Sequence, residues 1–125
     1  MEQKELPGKA ILTFQDNNIL VFKILPKIDF TADDAVELVK IASELSGEKT
    51  HCNLVDISEA GLIDSGARDV FAKQKKKSIP AIAIVFKTTF QKCFVNFYLK
   101  FTWPYIPTKA FDDTDEATEW LLTQM

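Results

Sequence analysis

Apolar residues fall along the chain in clusters every 10 to 20 positions, and the spacing within each cluster alternates between that of a strand and that of a helix. Ala10–Phe14 (AILTF) and Ile19–Ile24 (ILVFKI) flank Gln15-Asp16-Asn17-Asn18, whose Asp and Asn side chains tolerate turn conformations, so the pair predicts a β-hairpin ended by Pro26. Thr31 is placed to cap a helix with Asp33 and Asp34 in its first turn. Ala35, Leu38, Val39, Ala42 and Leu45 follow at helical spacing, and Gly47 stops it. Cys52–Ile57 (CNLVDI) is short, mostly apolar and β-branched, which suits a strand buried in a parallel sheet.

A second helix is expected from Ser65, with Ala67, Val70 and Phe71 on one face. Pro80–Phe86 (PAIAIVF) is the most continuous apolar run and the best candidate for a central strand. Phe90–Phe101 predicts a third helix and Thr108–Phe111 a last strand. Asp113-Thr-Asp-Glu116 reads as a capping box before Ala117, Trp120 and Leu121. The expected order is β-β-α-β-α-β-α-β-α: an α/β domain with an N-terminal hairpin, a mixed five-stranded sheet and four helices, over residues 1–125 as one unit.

Composition agrees with one globular domain. The 125 residues are 46% hydrophobic and 26% charged, enough for a core without disulfide or metal. No apolar run approaches the ~20 residues of a membrane-spanning helix, and the opening MEQKELPGKA lacks the features of a leader, so a cytoplasmic protein is expected. A net charge of −3 argues against nucleic acid as a partner. The run Lys73, Lys75, Lys76, Lys77 sits where a helix is expected to end, where cations meet the negative end of the dipole. Cys52 and Cys93 form no C-x-x-C pair and stand in apolar contexts, which predicts buried reduced thiols.

The element order, the length and the segment NLVDISEAGLIDSGARDVF together resemble a STAS domain of the SpoIIAA-like type. VDIS, SGARDVFA, AIAIVFKTTFQKCFVNFYLKF and YIPTKAFDDTDEATEWL are similar to a group of small bacterial STAS-like proteins of unassigned function. The resemblance implies a hairpin followed by a right-handed array of βα units, action through protein association in a regulatory setting, and no catalytic activity. The same broad fold includes lipid-binding domains of the SEC14 kind. In regulatory STAS proteins a serine at the start of the helix after the third strand is phosphorylated. Asp56, Ser58, Asp64 and Ser65 match that motif in part, but Gly66 stands where the phosphorylated serine would be. These four residues are a candidate switch or anion site at the second helix start, with Ser65 expected as an ordinary N-cap.

No catalytic set, cofactor motif or metal site is apparent. His51 and Cys52 are strand neighbours whose side chains point to opposite faces, giving a strand-edge histidine and a core cysteine rather than a catalytic pair. Carboxylates cluster only at helix starts, and the glycines are dispersed. An enzyme built on Asp56, Asp64 and Ser65 ranks lowest.

The third helix is the unusual feature. Phe90, Phe94, Phe97 and Phe101 form one stripe, expected to face the core, while Val95 and Leu99 fall off it and Lys92, Asn96 and Lys100 form a polar sector. Val95, Tyr98, Leu99, Trp103 and Tyr105 are therefore the candidate surface, either for a protein partner or second copy, or for a lipid or other apolar small molecule.

Overall fold

The computed structural model describes residues 2–102 and 104–125, the side chains of 101 and 102 excepted. Its elements are β1 (Glu2–Leu6), β2 (Ala10–Phe14), β3 (Ile19–Ile24), α1 (Ala32–Ser46), β4 (Cys52–Asp56), α2 (Ser65–Ala72), β5 (Ile82–Val85), α3 (Thr89–Thr102), β6 (Thr108–Phe111) and α4 (Thr114–Leu122). Six strands lie in the sheet in sequence order, β1 to β3 antiparallel and β3 to β6 parallel.

The expected α/β order holds, with one strand more than the five expected. β1 is the addition: Glu-Gln-Lys-Glu-Leu shows no apolar alternation because it is an edge strand, almost wholly exposed, held by its backbone pairing with β2. Charged edges of this kind discourage pairing with other chains. The turn that joins the two strands places Gly8 at φ 73, which glycine adopts at no steric cost.

β5 is also not central, since β6 alone lies beyond it and β3 and β4 hold the middle. Its continuous apolar run reflects a strand lined on both faces, whatever its place in the sheet. On one face, Ile19, Cys52, Leu54, Ala81, Ala83 and Val85 pack against Ala117 and Leu121 of α4. On the other, Leu20, Phe22 and Ile24 pack with Phe30, Ala35, Leu38, Leu45, Ala67 and Val95, so α1, α2 and α3 share that side.

Local signals account for most helix ends. Thr31 Oγ1 accepts from Asp34 N at 3.3 Å while Asp34 Oδ2 accepts from Thr31 N at 3.0 Å, a reciprocal capping box. The Asp34 carboxyl is held below the usual carboxylate range, chiefly by that Thr31 backbone bond, with help from Lys9. Gly47 ends α1 at φ 60. Asp113 Oδ1 caps α4, accepting from Asp115 N and Glu116 N.

α3 departs most from expectation. Its buried face carries Val95, 2% exposed, and Tyr98, with Phe94 and Leu99 half-buried beside them. Phe90 and Phe97, expected inside, are 71% and 60% exposed. The side chain of Phe101 lies outside the described residues. Cys93, expected buried, is exposed on the same outer flank, while Cys52 is buried as expected.

Candidate functional site

The four residues of the candidate switch fall into two separate groups. Alternation along β4 turns Asp56 toward the α4 side of the sheet, with Cys52 and Leu54. Asp56 Oδ1 accepts from Ser58 N at 2.9 Å and Oδ2 from Lys23 Nζ at 3.2 Å, and Lys23 also reaches Glu59 at 3.6 Å. Burial works to raise the Asp56 pKa, but the Ser58 hydrogen bonds and Lys23 outweigh it and leave the carboxyl below the ordinary range. This ionised, fully bonded cluster secures the loop after β4.

Asp64, not Ser65, caps α2. Its Oδ1 accepts from Ala67 N at 2.8 Å and its backbone N–H donates to Phe30 O at 3.0 Å, so the carboxylate already occupies the helix N-terminus. Ser65 is the first helical residue and exposed, and a phosphate on it would lie beside that carboxylate. At Gly66 a Cβ would sit 2.9 Å from Ala32 Cβ of α1, so the close approach of α1 and α2 keeps this position free of a side chain.

The candidate residues of α3 point into the molecule. Val95 and Tyr98 are buried, Leu99 is half-buried, Tyr105 is exposed with Lys75 Nζ 4.3 Å from its ring centre, and Trp103 lies outside the described residues. Burial pushes the Tyr98 hydroxyl up to about 12, and the charge of nearby Asp69 adds to this. As a surface for association, Val95 and Tyr98 are therefore misplaced: they form the roof of an interior space.

That space is a cavity of about 90 Å³ between the sheet and α1, α2 and α3. Its floor is Phe22 and Ile24 of β3, Asn53 and Val55 of β4, and Ile82 and Ile84 of β5. Val55, Ile82 and Ile84 are only half-buried although they lie on inner strands. Phe30, Leu38, Phe71, Phe94, Val95 and Tyr98 supply apolar walls. Half-buried Ser43, Arg68, Phe71 and Phe94 among the lining residues show that the space is not sealed. Arg68 lies over the Phe94 ring at 5.0 Å, one of the few links between α2 and α3.

One end of the cavity is polar. His51 and Asn53 line it, both buried, together with Ser43, Ser46 and Lys76. His51, expected at a strand edge, thus lies inside at the start of β4. Burial holds its pKa below the usual histidine value, the Lys49 carbonyl partly opposing this. Cys52 points the other way, its Sγ 3.7 Å from Leu121 O, and burial raises its pKa. The opposed faces expected for the pair are thus observed. Nothing expected from the sequence points to this end; Asn53, the one polar side chain on the inward face of β4, is the residue that could have marked it.

A family model, the domain of unknown function DUF7793, matches residues 12–124. The chain belongs to this family. DUF7793 residues thus include every strand from β3 onward and all four helices, and with them the whole cavity. Among solved structures, a protein of the DUF3478 family from Shewanella loihica, described as having a SpoIIAA-like fold, aligns over 97% of this chain and 99% of its own. Identity is 21% and the TM-score 0.62, so the DUF7793 chain has the SpoIIAA-like fold expected from its sequence. A protein with unknown function from Arthrobacter sp. is 28% identical over 88% of this chain and 90% of its own, with a TM-score of 0.37. No curated protein matches. Among the described residues no group of His, Cys, Asp and Glu could hold a metal, and no helix is long and apolar enough to cross a membrane.

Proposed function

We propose that this SpoIIAA-like domain is a non-enzymatic binding module that takes a small apolar molecule, or the end of an apolar chain, in the cavity beneath α3. The observation that supports it is the unsealed apolar space over half-buried Val55, Ile82 and Ile84. Interiors are otherwise close-packed, and an apolar space that side chains leave unfilled forfeits dispersion contacts that a ligand restores. Size limits the occupant: about 90 Å³ is less than the ~150 Å³ of an enclosed cavity known to hold benzene, so a ring or chain end enters with part of the molecule protruding from the unsealed space, and a whole lipid does not fit without displacement of a helix.

The test is a titration of methyl-labelled protein with toluene followed by NMR. Saturable shifts centred on Val55, Ile82 and Ile84 are expected, together with their loss in Ile84→Trp, which fills the space. Absence of shifts at saturating toluene would remove the proposal.

A second reading, association with a protein, draws on the outer flank of α3. Leu62, Phe90, Phe97 and Tyr105 are exposed, and from Val70 to Phe111 the chain has eight lysines and no carboxylate. An apolar patch framed by cations fits a partner whose contact surface is apolar with an acidic rim. The surface differs from the one expected, since Phe90 and Phe97 replace Val95 and Tyr98.

A further inference from the structure

The cavity has one end lined by polar side chains, and their hydrogen bonds can be followed one by one. Sheet register sets Leu20, Asn53, Ile82 and Thr108 in one row across β3 to β6, and Phe22, Val55, Ile84 and Ala110 in the next. Thr108 is already engaged, its hydroxyl donating to Ile106 O at 2.8 Å. Asn53 is not: the residue is 4% exposed, and its Oδ1 is buried without a hydrogen-bond partner among the described residues.

Its neighbour His51 does not supply the missing donor. His51 Nδ1 is 2.8 Å from Lys49 O, and because a carbonyl only accepts, Nδ1 carries the ring proton. In the neutral ring favoured by burial, Nε2 is then a second acceptor. The Asn53 side chain can hydrogen-bond the protonated ring and so favours it, but the neutral ring, with its one proton on Nδ1, has none to give Oδ1. Lys76 lines the same end, and its Nζ donates to Ser43 Oγ. This end therefore presents two acceptors, of which Asn53 Oδ1 is buried with nothing to accept, beside the Lys76 ammonium donor. Such an acceptor has lost its water and gained no replacement, a deficit that a ligand donor removes.

We propose that the cavity selects an apolar molecule ending in a neutral group that donates a hydrogen bond to Asn53 Oδ1, a hydroxyl or a primary amide. The oxygen of the same group can accept from Lys76. An ionised carboxylate can accept from Lys76 but brings no donor to Asn53 Oδ1 and sets its own charge against that oxygen, so the unmet acceptor favours alcohols and amides over fatty-acid anions. The inference rests on the cavity being a ligand site.

Chain-matched probes test it. 1-Hexanol, hexanamide, hexanoate and toluene are titrated into the methyl-labelled protein at pH 7.5. Hexanol and hexanamide are expected to bind roughly tenfold more tightly than hexanoate, the value of about one hydrogen bond. In Asn53→Leu the hexanol affinity falls by a similar factor while that for toluene is unchanged. Hexanoate binding as tightly as hexanol to the unaltered protein, or an unchanged hexanol affinity in Asn53→Leu, would overturn the inference and leave the cavity reading intact. Toluene failing to bind the unaltered protein would overturn both. The comparison of probes on the unaltered protein decides the matter even where Asn53→Leu does not fold.

Discussion

Replacing Phe30 with alanine is expected to cost about 3–5 kcal/mol of stability, a large share of the ~5–15 kcal/mol that holds a domain together. Phe30 is among the largest fully buried side chains, and it lines the cavity. Its backbone binds the segment that opens α2: Phe30 N donates to Leu62 O at 2.8 Å and Phe30 O accepts from Asp64 N at 3.0 Å. Those bonds belong to the main chain and survive the substitution, so α2 stays in place and the site cannot collapse freely. The cost then lies at the upper end for an aromatic truncation, because the void remains. The same reasoning predicts partial rescue. An enlarged apolar space binds benzene, and a ligand at 100 times its Kd restores about 2.7 kcal/mol. Urea unfolding with and without benzene measures both numbers. A loss below about 1 kcal/mol, or no benzene effect, would show that α2 closes over the gap.

The elements that could be read in the sequence are those whose neighbours in space are also neighbours in sequence. The β2–β3 hairpin, the Thr31 capping box, the Gly47 stop and the Asp113 cap are all local, and each ends its element where expected. At α2 the choice between Asp64 and Ser65 was one of a single residue, and both types cap well. Asp64 takes the position because its backbone N–H is tied to Phe30, a contact across 34 positions that no local rule contains. β1 escaped for the opposite reason, since its pairing is made by backbone groups and its side chains carry no burial pattern.

The cavity had no signature of its own. It is a gap between residues of all the elements on one face of the sheet, and a gap is set by how far the helices stand from the strands. What could have marked it was Asn53, a polar residue in the inward row of β4 with Val55 and Ile57 after it. The switch motif had the reverse character. Asp56, Ser58, Asp64 and Ser65 are close in sequence, yet the strand alternation and the intervening loop distribute them between two hydrogen-bonded groups.

The orientation of α3 gives the second large effect, as a contrast between two residues two positions apart. Val95→Asp is expected to destabilise the domain by several kcal/mol, because a carboxylate at a 2% exposed site among Tyr98, Phe94 and the sheet loses its hydration and gains no partner. Phe97→Asp at a 60% exposed site is expected to change stability by no more than about 0.5 kcal/mol. The aromatic stripe of α3 predicts the opposite ranking, since large aromatics usually mark the core face. An apolar arc spreading around most of a helix carries little phase information, and here the sheet decides the phase. The β4 and β5 floor already holds Val55, Ile82 and Ile84, and the roof above it is formed by Val95 and Tyr98, which leaves Phe90 and Phe97 on the outer flank. Urea denaturation of the two variants checks the ranking directly. Comparable losses in both would mean that Phe97 is covered in solution by another chain, and light scattering of the unaltered protein at several concentrations would then distinguish a second copy from a different partner.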